Sequence, residues 1–523
     1  MEKISLSKTR ILTNHQFILL AILLLAVLLR LPLLATHPGG FSFDEAASGY
    51  AAYSIFLTKR DEYGKFLPLF LESVGDYRES IYSFLAIPFI KVFGLNEFST
   101  RLPAALSGIF NVFILYCLVK ELFNKNIALM AALFLAVSPW HIILSRLAFN
   151  ANLLPLFFCL GLILFIKSLK KPNLLILSSL TFGLSTWTYF PSRGFVPVFM
   201  IGLIFIFRNH LWKNRGKTII SSATFLLIFI PLAVFWFSPE GMARASSVGL
   251  VTSLQQLLYH YLTYLSPKFL FIDGKRELAD IPLVGQLYIF EIITVTAGIF
   301  FILKGNQKEE LTNKRKAQSL LLLWLLVYPF PAAFASQATD TRGVIGLPLF
   351  AILSAYGICK LYELFSDRKK IYFRFVSAVI LTTSVLVFSS YFFGKHFNFE
   401  TKKGYGIKDA IIYADKSYYS CVVVKNKLFR NMRYFIAFYL KYPPDKYQVN
   451  PIDKSIKEYN IGKFRVISGD RNKLDEECLY FIRPYETSQI TEKGYDWTEV
   501  HSVKHPSAGE VIKLVEVRKT VAE

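Results

Sequence analysis

Two adjacent carboxylates, Asp44 and Glu45, follow the first long apolar segment of the chain. A charged side chain beside a bilayer is costly to bury, so an acidic pair in this place indicates a functional role. A positioned carboxylate can take the proton of a hydroxyl group as that hydroxyl attacks an electrophile. The pair could instead bind a divalent metal ion, and Ser42 or Asp44 could simply cap a helix.

The composition of the chain is that of a polytopic helical membrane protein. The 523 residues are 53% hydrophobic, and the mean hydropathy is +0.40. The formal net charge is +22, but the Lys and Arg residues cluster between apolar runs. This is the distribution that cytoplasmic loops have in membrane proteins, so the charge does not indicate a nucleic-acid partner.

Apolar runs of spanning length recur up to about residue 394. We predict spans near 17–35, 81–95, 102–122, 127–145, 151–166, 173–190, 194–207, 217–237, 284–304, 318–335, 342–362 and 371–394. Residues 395–523 are polar and carry short β-like runs. The predicted fold is an all-α polytopic membrane bundle of about 11–13 transmembrane helices over residues 1–394, followed by a small soluble α/β domain over 395–523.

The basic residues predict the orientation of these spans. The basic N-terminus is expected to precede an uncleaved span and to be cytoplasmic. Residues 36–80 and the C-terminal domain are then expected outside, at the surface of a prokaryotic plasma membrane. Five predicted spans before the basic loop at Lys167 give the wrong parity. Either the region around Pro139 contains an extra broken helix, giving about 13 spans, or one run does not span, giving about 11. Arg101 is expected on the cytoplasmic side, in a structural role.

The oxidation state of two cysteines in the C-terminal domain depends on this orientation. Cys421 and Cys478 could form a disulfide bond if the domain is extracytoplasmic, and could equally remain thiols.

The first outer loop, residues 36–80, is rich in charge and contains an amphipathic stretch. Ala46, Tyr50, Tyr53 and Leu57 recur at helical spacing, which predicts a helix along the membrane surface. Asp44 then lies near the start of that helix.

Several short motifs occur in a characteristic order after the acidic pair. They are Phe93-Gly94, the run from Ser99 to Gly108 with Arg101 and Pro103, Ser138-Pro139-Trp140-His141, Ser145-Arg146, Gly183-Leu184-Ser185 with Tyr189 and Arg193, and Thr341-Arg342 before Leu347-Pro348. Together they resemble the multi-spanning GT-C glycosyltransferases of families 39 and 83. The likeness is to the bacterial branch related to protein O-mannosyltransferases and lipid A aminoarabinose transferases. It covers roughly residues 15–395.

The resemblance implies an inverting membrane enzyme that moves a hexose or pentose from a polyisoprenyl phosphate to an acceptor hydroxyl outside the membrane. The acceptor would be a protein, a lipid or a glycan. Asp44 is expected to be the base, and a phosphate leaving group needs no second acid. Glu45 would orient Asp44, share a divalent metal ion with it, or do neither. Glu72, Asp76 and Glu79 are candidates for a second acidic position.

The donor phosphate requires positive charge on the same face. The candidates are Arg193, Arg342, Arg78 and Arg244, because the planar fork of guanidinium donors suits a phosphate, and Tyr189 is a further substrate-binding candidate. Each arginine could instead anchor a helix end or pair with a loop carboxylate. The sequence contains no nucleotide-binding glycine motif or zinc motif. The alternative function is a transporter or flippase of lipid-linked glycans.

Overall fold

The computed structural model describes residues 14–72, 77–242, 249, 251–272, 284–305, 313–335, 338–394, 404–425, 431–449, 458–467, 473–505 and 509–520. Most of these residues are helical. The helices up to residue 393 are α1 (Asn14–Arg30), α2 (Phe43–Thr58), α3 (Ile81–Phe93), α4 (Glu97–Leu122), α5 (Lys125–Val137), α6 (Pro139–Ser145), α7 (Leu153–Ser168), α8 (Leu174–Thr186), α9 (Ser192–Lys213), α10 (Arg215–Trp236), α11 (Leu254–Leu265), α12 (Glu291–Lys304), α13 (Asn313–Val327), α14 (Phe330–Ala333), α15 (Gly346–Glu363) and α16 (Asp367–Phe393).

Six helical segments among the described residues are long and apolar enough to cross a bilayer: Glu97–Leu122, Asn150–Ser168, Ser192–Lys213, Arg215–Trp236, Arg315–Ala333 and Asp367–Phe393. The helices α5 and α6 form a further passage that bends by 58° between them, where Pro139 begins α6. Shorter apolar helices among the described residues are α1, α3 and α8. By length and composition the described residues therefore contain six or seven passages, and the predicted number of about 11–13 stays a prediction.

The predicted span at 81–95 is wrong, because α3 does not cross. Tyr82, at the start of α3, donates a hydrogen bond to the carbonyl oxygen of Thr100 in the first turns of α4 over 2.8 Å, so both ends of α3 lie on the same side of the bundle. The helices α2 and α3 instead pack on each other beside the start of α4. Without this run, the passages before Lys167 are even in number, so the case in which one run does not span resolves the parity conflict.

The prediction that Arg101 and the acidic pair lie on opposite sides of the membrane is also wrong. The guanidinium of Arg101 lies at the start of α4 and bonds to Glu45 of α2, with Nε 2.8 Å from Oε1. Arg101 thus lies on the same face of the bundle as the acidic pair. Its predicted structural role agrees with this contact, since both side chains are fully buried.

The C-terminal domain is built on a six-stranded mixed sheet with the strand order β4-β5-β3-β6-β8-β7. Its inner strand β3 is parallel to both β5 and β6. The strands of this sheet are β3 (Cys421–Lys425), β4 (Glu458–Ile461), β5 (Phe464–Ile467), β6 (Cys478–Ile482), β7 (Tyr495–His505) and β8 (Gly509–Lys519), and the helices of the domain are α17 (Ile407–Lys416), α18 (Met432–Tyr439), α19 (Pro444–Val449) and α20 (Thr487–Glu492). A two-stranded ribbon, β1 (Phe70–Glu72) and β2 (Tyr77–Glu79), precedes α3.

The C-terminal domain packs directly on the surface helix α2. Tyr50 donates a hydrogen bond to the carbonyl oxygen of Tyr442 over 2.9 Å, and buried residues of α2 share one hydrophobic core with α17, α18 and the sheet. A β carbon at Gly49 would lie 2.6 Å from the Phe438 ring and 2.7 Å from Thr100. Glycine is therefore needed where α2 passes between α4 and the C-terminal domain.

Candidate active site

The first turn of α2 separates the roles of the two adjacent acids. Ser42 is the N-cap residue, and its hydroxyl accepts from the backbone N–H of Glu45, whose carboxylate accepts in return from the N–H of Ser42. The capping role that the sequence left open for Asp44 thus belongs to Ser42 and Glu45. Asp44 is half-buried and lines a cavity.

This cavity collects five of the residues that the sequence nominated. It has a volume of about 280 Å³ and is lined by Asp44, Arg78, Tyr189 and Arg342, with Glu79 beside them. The remaining wall residues belong to α2, the segment before α7, the α8–α9 turn, residues 331–335 and Thr341. They are Ser48, Ala148, Phe149, Asn150, Ala151, Phe190, Pro191, Pro331, Ala332, Phe334, Ala335 and Thr341. A carboxylate and two guanidinium groups therefore share one enclosure at the end of the bundle that the C-terminal domain covers.

Arg78 is anchored by one of its nitrogens. Its Nη1 donates to the carbonyl oxygen of Asp44 over 3.1 Å and to the hydroxyl of Ser48 over 3.0 Å. Its Nε and Nη2 are buried and have no hydrogen-bond acceptor among the described residues. A buried guanidinium with two open donors is suited to an anionic ligand, because unmet donors are costly and phosphate oxygens accept in pairs.

Arg193 is not one of the cavity-lining side chains, contrary to its predicted role as a donor-binding residue. It is buried, forms an ion pair with Glu79, and lies over the ring of Phe190 at 4.9 Å. Asn150 also donates to the backbone carbonyl of Glu79 over 2.7 Å. Arg193 therefore pairs with Glu79, which does line the cavity, and its role in donor binding stays a prediction.

The catalytic and metal-binding roles expected for Glu45 are not supported by its geometry. Its Oε1 accepts from Arg101 Nε and from the N–H of Ala148, at 2.8 and 3.1 Å. Its Oε2 accepts from Arg101 Nη2 over 3.2 Å and from the N–H of Ser42 over 3.0 Å. With both oxygens occupied inside the protein, Glu45 is a structural ion-pair partner.

The described residues do not fit the divalent metal ion that the acidic pair suggested. They contain no group of three or more His, Cys, Asp or Glu side chains placed to hold one, and Glu45 is committed to Arg101. A metal ion at Asp44 stays a prediction, and the positively charged side chains that line the cavity are those of Arg78 and Arg342.

Three other candidates lie away from the cavity or outside the description. Glu72 faces Lys65 at 3.5 Å and Tyr77 at 3.3 Å and does not line the cavity. Asp76 and Arg244 lie outside the described residues.

Comparison with known proteins agrees with this architecture. The model of a family described as dolichyl-phosphate-mannose-protein mannosyltransferase matches residues 81–236. A Bacillus subtilis (strain 168) protein, YycA, whose name provisionally assigns it as a mannosyltransferase, is 28% identical over 173 residues. That alignment covers 32% of this chain and 24% of YycA. A second B. subtilis protein with the same kind of name, YkcB, is 32% identical over 84 residues, which are 16% of this chain and 12% of YkcB.

The fold matches that of solved glycosyltransferases over nearly its whole length. ArnT from Cupriavidus metallidurans, in a crystal structure with bound undecaprenyl phosphate, has a TM-score of 0.60 at 11% identity, with 96% of this chain and 98% of ArnT covered. The chain therefore shares the fold of ArnT. The Archaeoglobus fulgidus oligosaccharyltransferase AglB, in complex with an inhibitory peptide and a dolichol phosphate, has a TM-score of 0.52 at 12% identity, with 81% of this chain and 63% of AglB covered.

One feature of the fold has no sequence signal that points to it. Glu62 lies in the turn after α2, is fully buried, and has no hydrogen bond to either carboxylate oxygen among the described residues. In the sequence it is one of many charges in a polar loop, Lys59-Arg60-Asp61-Glu62. The C-terminal domain contacts this turn from almost 400 residues further along the chain, since Gln448 Nε2 donates to the carbonyl oxygen of Asp61 over 2.9 Å.

Proposed function

We propose that this protein is a glycosyltransferase that moves a sugar from a polyisoprenyl phosphate to the hydroxyl group of an acceptor, with inversion at the anomeric carbon. One observation carries the proposal: Asp44 shares a single cavity with Arg78 and Arg342. The combination supplies a base and a phosphate site within one enclosure, as this transfer requires. The GT-C fold and the matched mannosyltransferase family support it, and they make mannose the first sugar to test.

In this reaction Asp44 accepts the proton of the acceptor hydroxyl. The hydroxyl oxygen forms the new bond to the anomeric carbon, and the bond from that carbon to the phosphate oxygen breaks with its electron pair remaining on the phosphate. Both charges then have partners: the proton stays on Asp44 until solvent removes it, and the phosphate stays with the arginines. Alignment of the attacking oxygen and the leaving group by the cavity walls lowers the entropic cost of the step.

Arg78 and Arg342 are proposed to bind the donor phosphate. Arg78 lines the cavity and has two nitrogens, Nε and Nη2, without a hydrogen-bond partner among the described residues, and Arg342 lines the same cavity. Guanidinium groups in a water-poor site stabilise the charge that builds on the leaving phosphate more strongly than they would in water. Tyr189 and Phe190 border this space and are placed to contact the sugar or the first isoprene units.

We place the cavity and the C-terminal domain on the extracytoplasmic side. The basic loops lie at the opposite ends of the passages, and α2 carries the C-terminal domain on the side of the acidic pair. The disulfide bond between Cys421 and Cys478, on neighbouring strands β3 and β6, supports an oxidising compartment. The two cysteines that the sequence left open as thiols or as a pair are thus paired.

Transfer of radiolabel from purified donors tests the proposed function. Membranes containing the protein are supplied with polyprenyl-phosphate-linked mannose, glucose, galactose or aminoarabinose, each labelled in the sugar, and with the matching free nucleotide sugars. We expect release of label from at least one lipid-linked donor, with polyprenyl phosphate as the second product, and none from a nucleotide sugar in washed membranes. Movement of an intact lipid-linked sugar across the bilayer without cleavage would instead identify the protein as a flippase.

A further inference from the structure

A second cavity lies at the end of the bundle opposite Asp44. Near its first turn, α4 pairs with Glu45 through Arg101, and Asn124, two positions beyond the last residue of α4, lines the second cavity. The helix from Arg101 to Leu122 is about 32 Å long at about 1.5 Å per residue, close to the roughly 30 Å of a bilayer's hydrocarbon core. In the orientation proposed above, this cavity therefore lies at the cytoplasmic leaflet.

The second cavity is a gap between α16 and the rest of the bundle. Near its C-terminal end, α16 packs on the bundle through Phe388 and Phe392, which are fully buried. In its first half, Val376 and Ile380 line the cavity and are 52% and 43% exposed. The facing walls come from α5, α12 and α15, with apolar side chains such as Met130, and the cavity volume is about 830 Å³. The gap is thus open to the surrounding hydrocarbon and suits an acyl chain.

Polar side chains lie at one end of this cavity, where α5 begins, α15 ends and α16 begins. They include Asn124, Asn126, Tyr362 and Arg374. Arg374 Nε donates to the hydroxyl of Tyr362 over 2.8 Å, and Arg374 Cζ lies 5.0 Å from the centre of that ring. Lys370 Nζ lies 5.6 Å from the centre of the same ring. Two cations therefore lie beside one phenol group at the polar end.

The acidic side chains near this end are paired with lysines. Glu363, which also lines the cavity, pairs with Lys360, and Asp367 pairs with Lys370. Arg374 has no carboxylate within ion-pair distance among the described residues, and its hydrogen-bond partner is a hydroxyl group. The first eight residues of α16 contain four basic side chains and one acidic side chain. The polar end thus has an excess of positive charge, which is complementary to an anionic headgroup.

We propose that this second cavity binds an anionic phospholipid of the cytoplasmic leaflet. One acyl chain lies between α16 and α5, and the headgroup phosphate accepts hydrogen bonds from Arg374, with Asn124 and Asn126 beside it. Hydrogen bonds from a guanidinium group to a phosphate are among the stronger ones, and basic pockets between transmembrane helices at this face recognise anionic headgroups. The lipid fills the gap and thereby holds the first half of α16 against the bundle. No step of sugar transfer involves this lipid.

Titration of the purified full-length protein with lipid, followed by native mass spectrometry, tests this site. The two probes are dioleoyl-phosphatidylglycerol, which is anionic, and dioleoyl-phosphatidylcholine, which has the same chains and no net charge. We expect one phosphatidylglycerol to bind at least about tenfold more tightly than phosphatidylcholine. For Arg374→Gln we expect about tenfold weaker binding of phosphatidylglycerol, the scale of one charge-assisted hydrogen bond, and Arg374→Lys should recover part of this loss.

Arg368→Gln is the matched control for the loss of charge. Arg368 belongs to the same basic segment and is exposed, but it does not line the cavity. Its variant should bind phosphatidylglycerol like the wild type. A phosphatidylglycerol with a photoreactive acyl chain locates the bound lipid. It should label α5 and α16 around Met130 and Ile380, and Ile380→Trp should remove most of the labelling because the larger side chain fills the gap.

Four results would overturn the inference. Equal affinity for the two lipids would show non-specific contact with lipid alone. No loss in Arg374→Gln, or an equal loss in Arg368→Gln, would assign the binding to general attraction by the basic segment. Labelling elsewhere on the protein would reject this cavity as the site. Tighter binding of undecaprenyl phosphate than of phosphatidylglycerol at the same helices would assign the cavity to a polyprenyl lipid. If Arg374→Gln does not fold, the lipid preference and the labelling of the wild type decide.

Discussion

Replacing Asp44 by asparagine is expected to lower the turnover number of sugar transfer by about 10²–10⁴-fold, the usual contribution of a general base. Asparagine keeps the size of the side chain but cannot accept the proton. Because Arg78 and Arg342 rather than Asp44 face the donor phosphate, the KM for the lipid-linked donor should change by less than about threefold. The measurement is steady-state transfer with the donor that the wild type consumes, at matched protein amounts.

Asp409→Asn is the matched control for this substitution. Asp409 also lies in the first turn of a helix, α17, but is exposed on the C-terminal domain. Its variant should keep wild-type turnover. If Asp44→Asn keeps more than a third of the wild-type rate, the base is another group, and Glu79 becomes the next candidate because it lines the same cavity.

Replacing Glu45 by glutamine is expected to cost about 3–5 kcal/mol of stability, because it leaves the buried guanidinium of Arg101 without its counter-charge. Both side chains of this pair are 0% exposed. The unfolding midpoint of the purified protein in detergent should fall by several degrees. The double variant Glu45→Gln/Arg101→Met should recover part of that loss, since it buries no unpaired charge.

Two comparisons make this result specific. Glu363→Gln, which removes the exposed partner of Lys360, should leave the midpoint nearly unchanged, because exposed ion pairs contribute about 0–1 kcal/mol. A Glu45→Gln protein that melts like the wild type and yet loses turnover would contradict the structural assignment. It would restore Glu45 as a catalytic residue.

The sequence predicted the fold class and the position of Asp44 near the start of α2, both for reasons that are local. Apolar length identifies most passages, and the position of Asp44 after the first of them is a feature of the chain itself. The role of Glu45, the second residue of the pair, depends on helix geometry. Neighbouring residues of an α-helix point about 100° apart, so Asp44 and Glu45 cannot both face one cavity. Adjacency in sequence suggested a shared site where the helix separates the two side chains.

The remaining differences arise from contacts that are distant in sequence. Arg193 pairs with Glu79, 114 positions away, and Arg101 pairs with Glu45, 56 positions away. No spacing rule predicts such partners. The helix α3 is as apolar as a spanning segment but begins and ends on one side of the bundle, and the C-terminal domain contacts the turn that carries Glu62. Charge and hydropathy patterns therefore predicted several residues that line the cavity, but not the partners of their side chains.

A cryo-electron microscopy structure of the protein with undecaprenyl phosphate tests the central claim most directly. We expect phosphate density in the cavity, within hydrogen-bonding distance of Arg78 and Arg342 and next to Asp44. A second, larger and mostly apolar cavity of about 830 Å³ lies near the other end of the bundle, bordered by Tyr362 and Arg374. Phosphate density there, with an empty site at Asp44, would contradict the account.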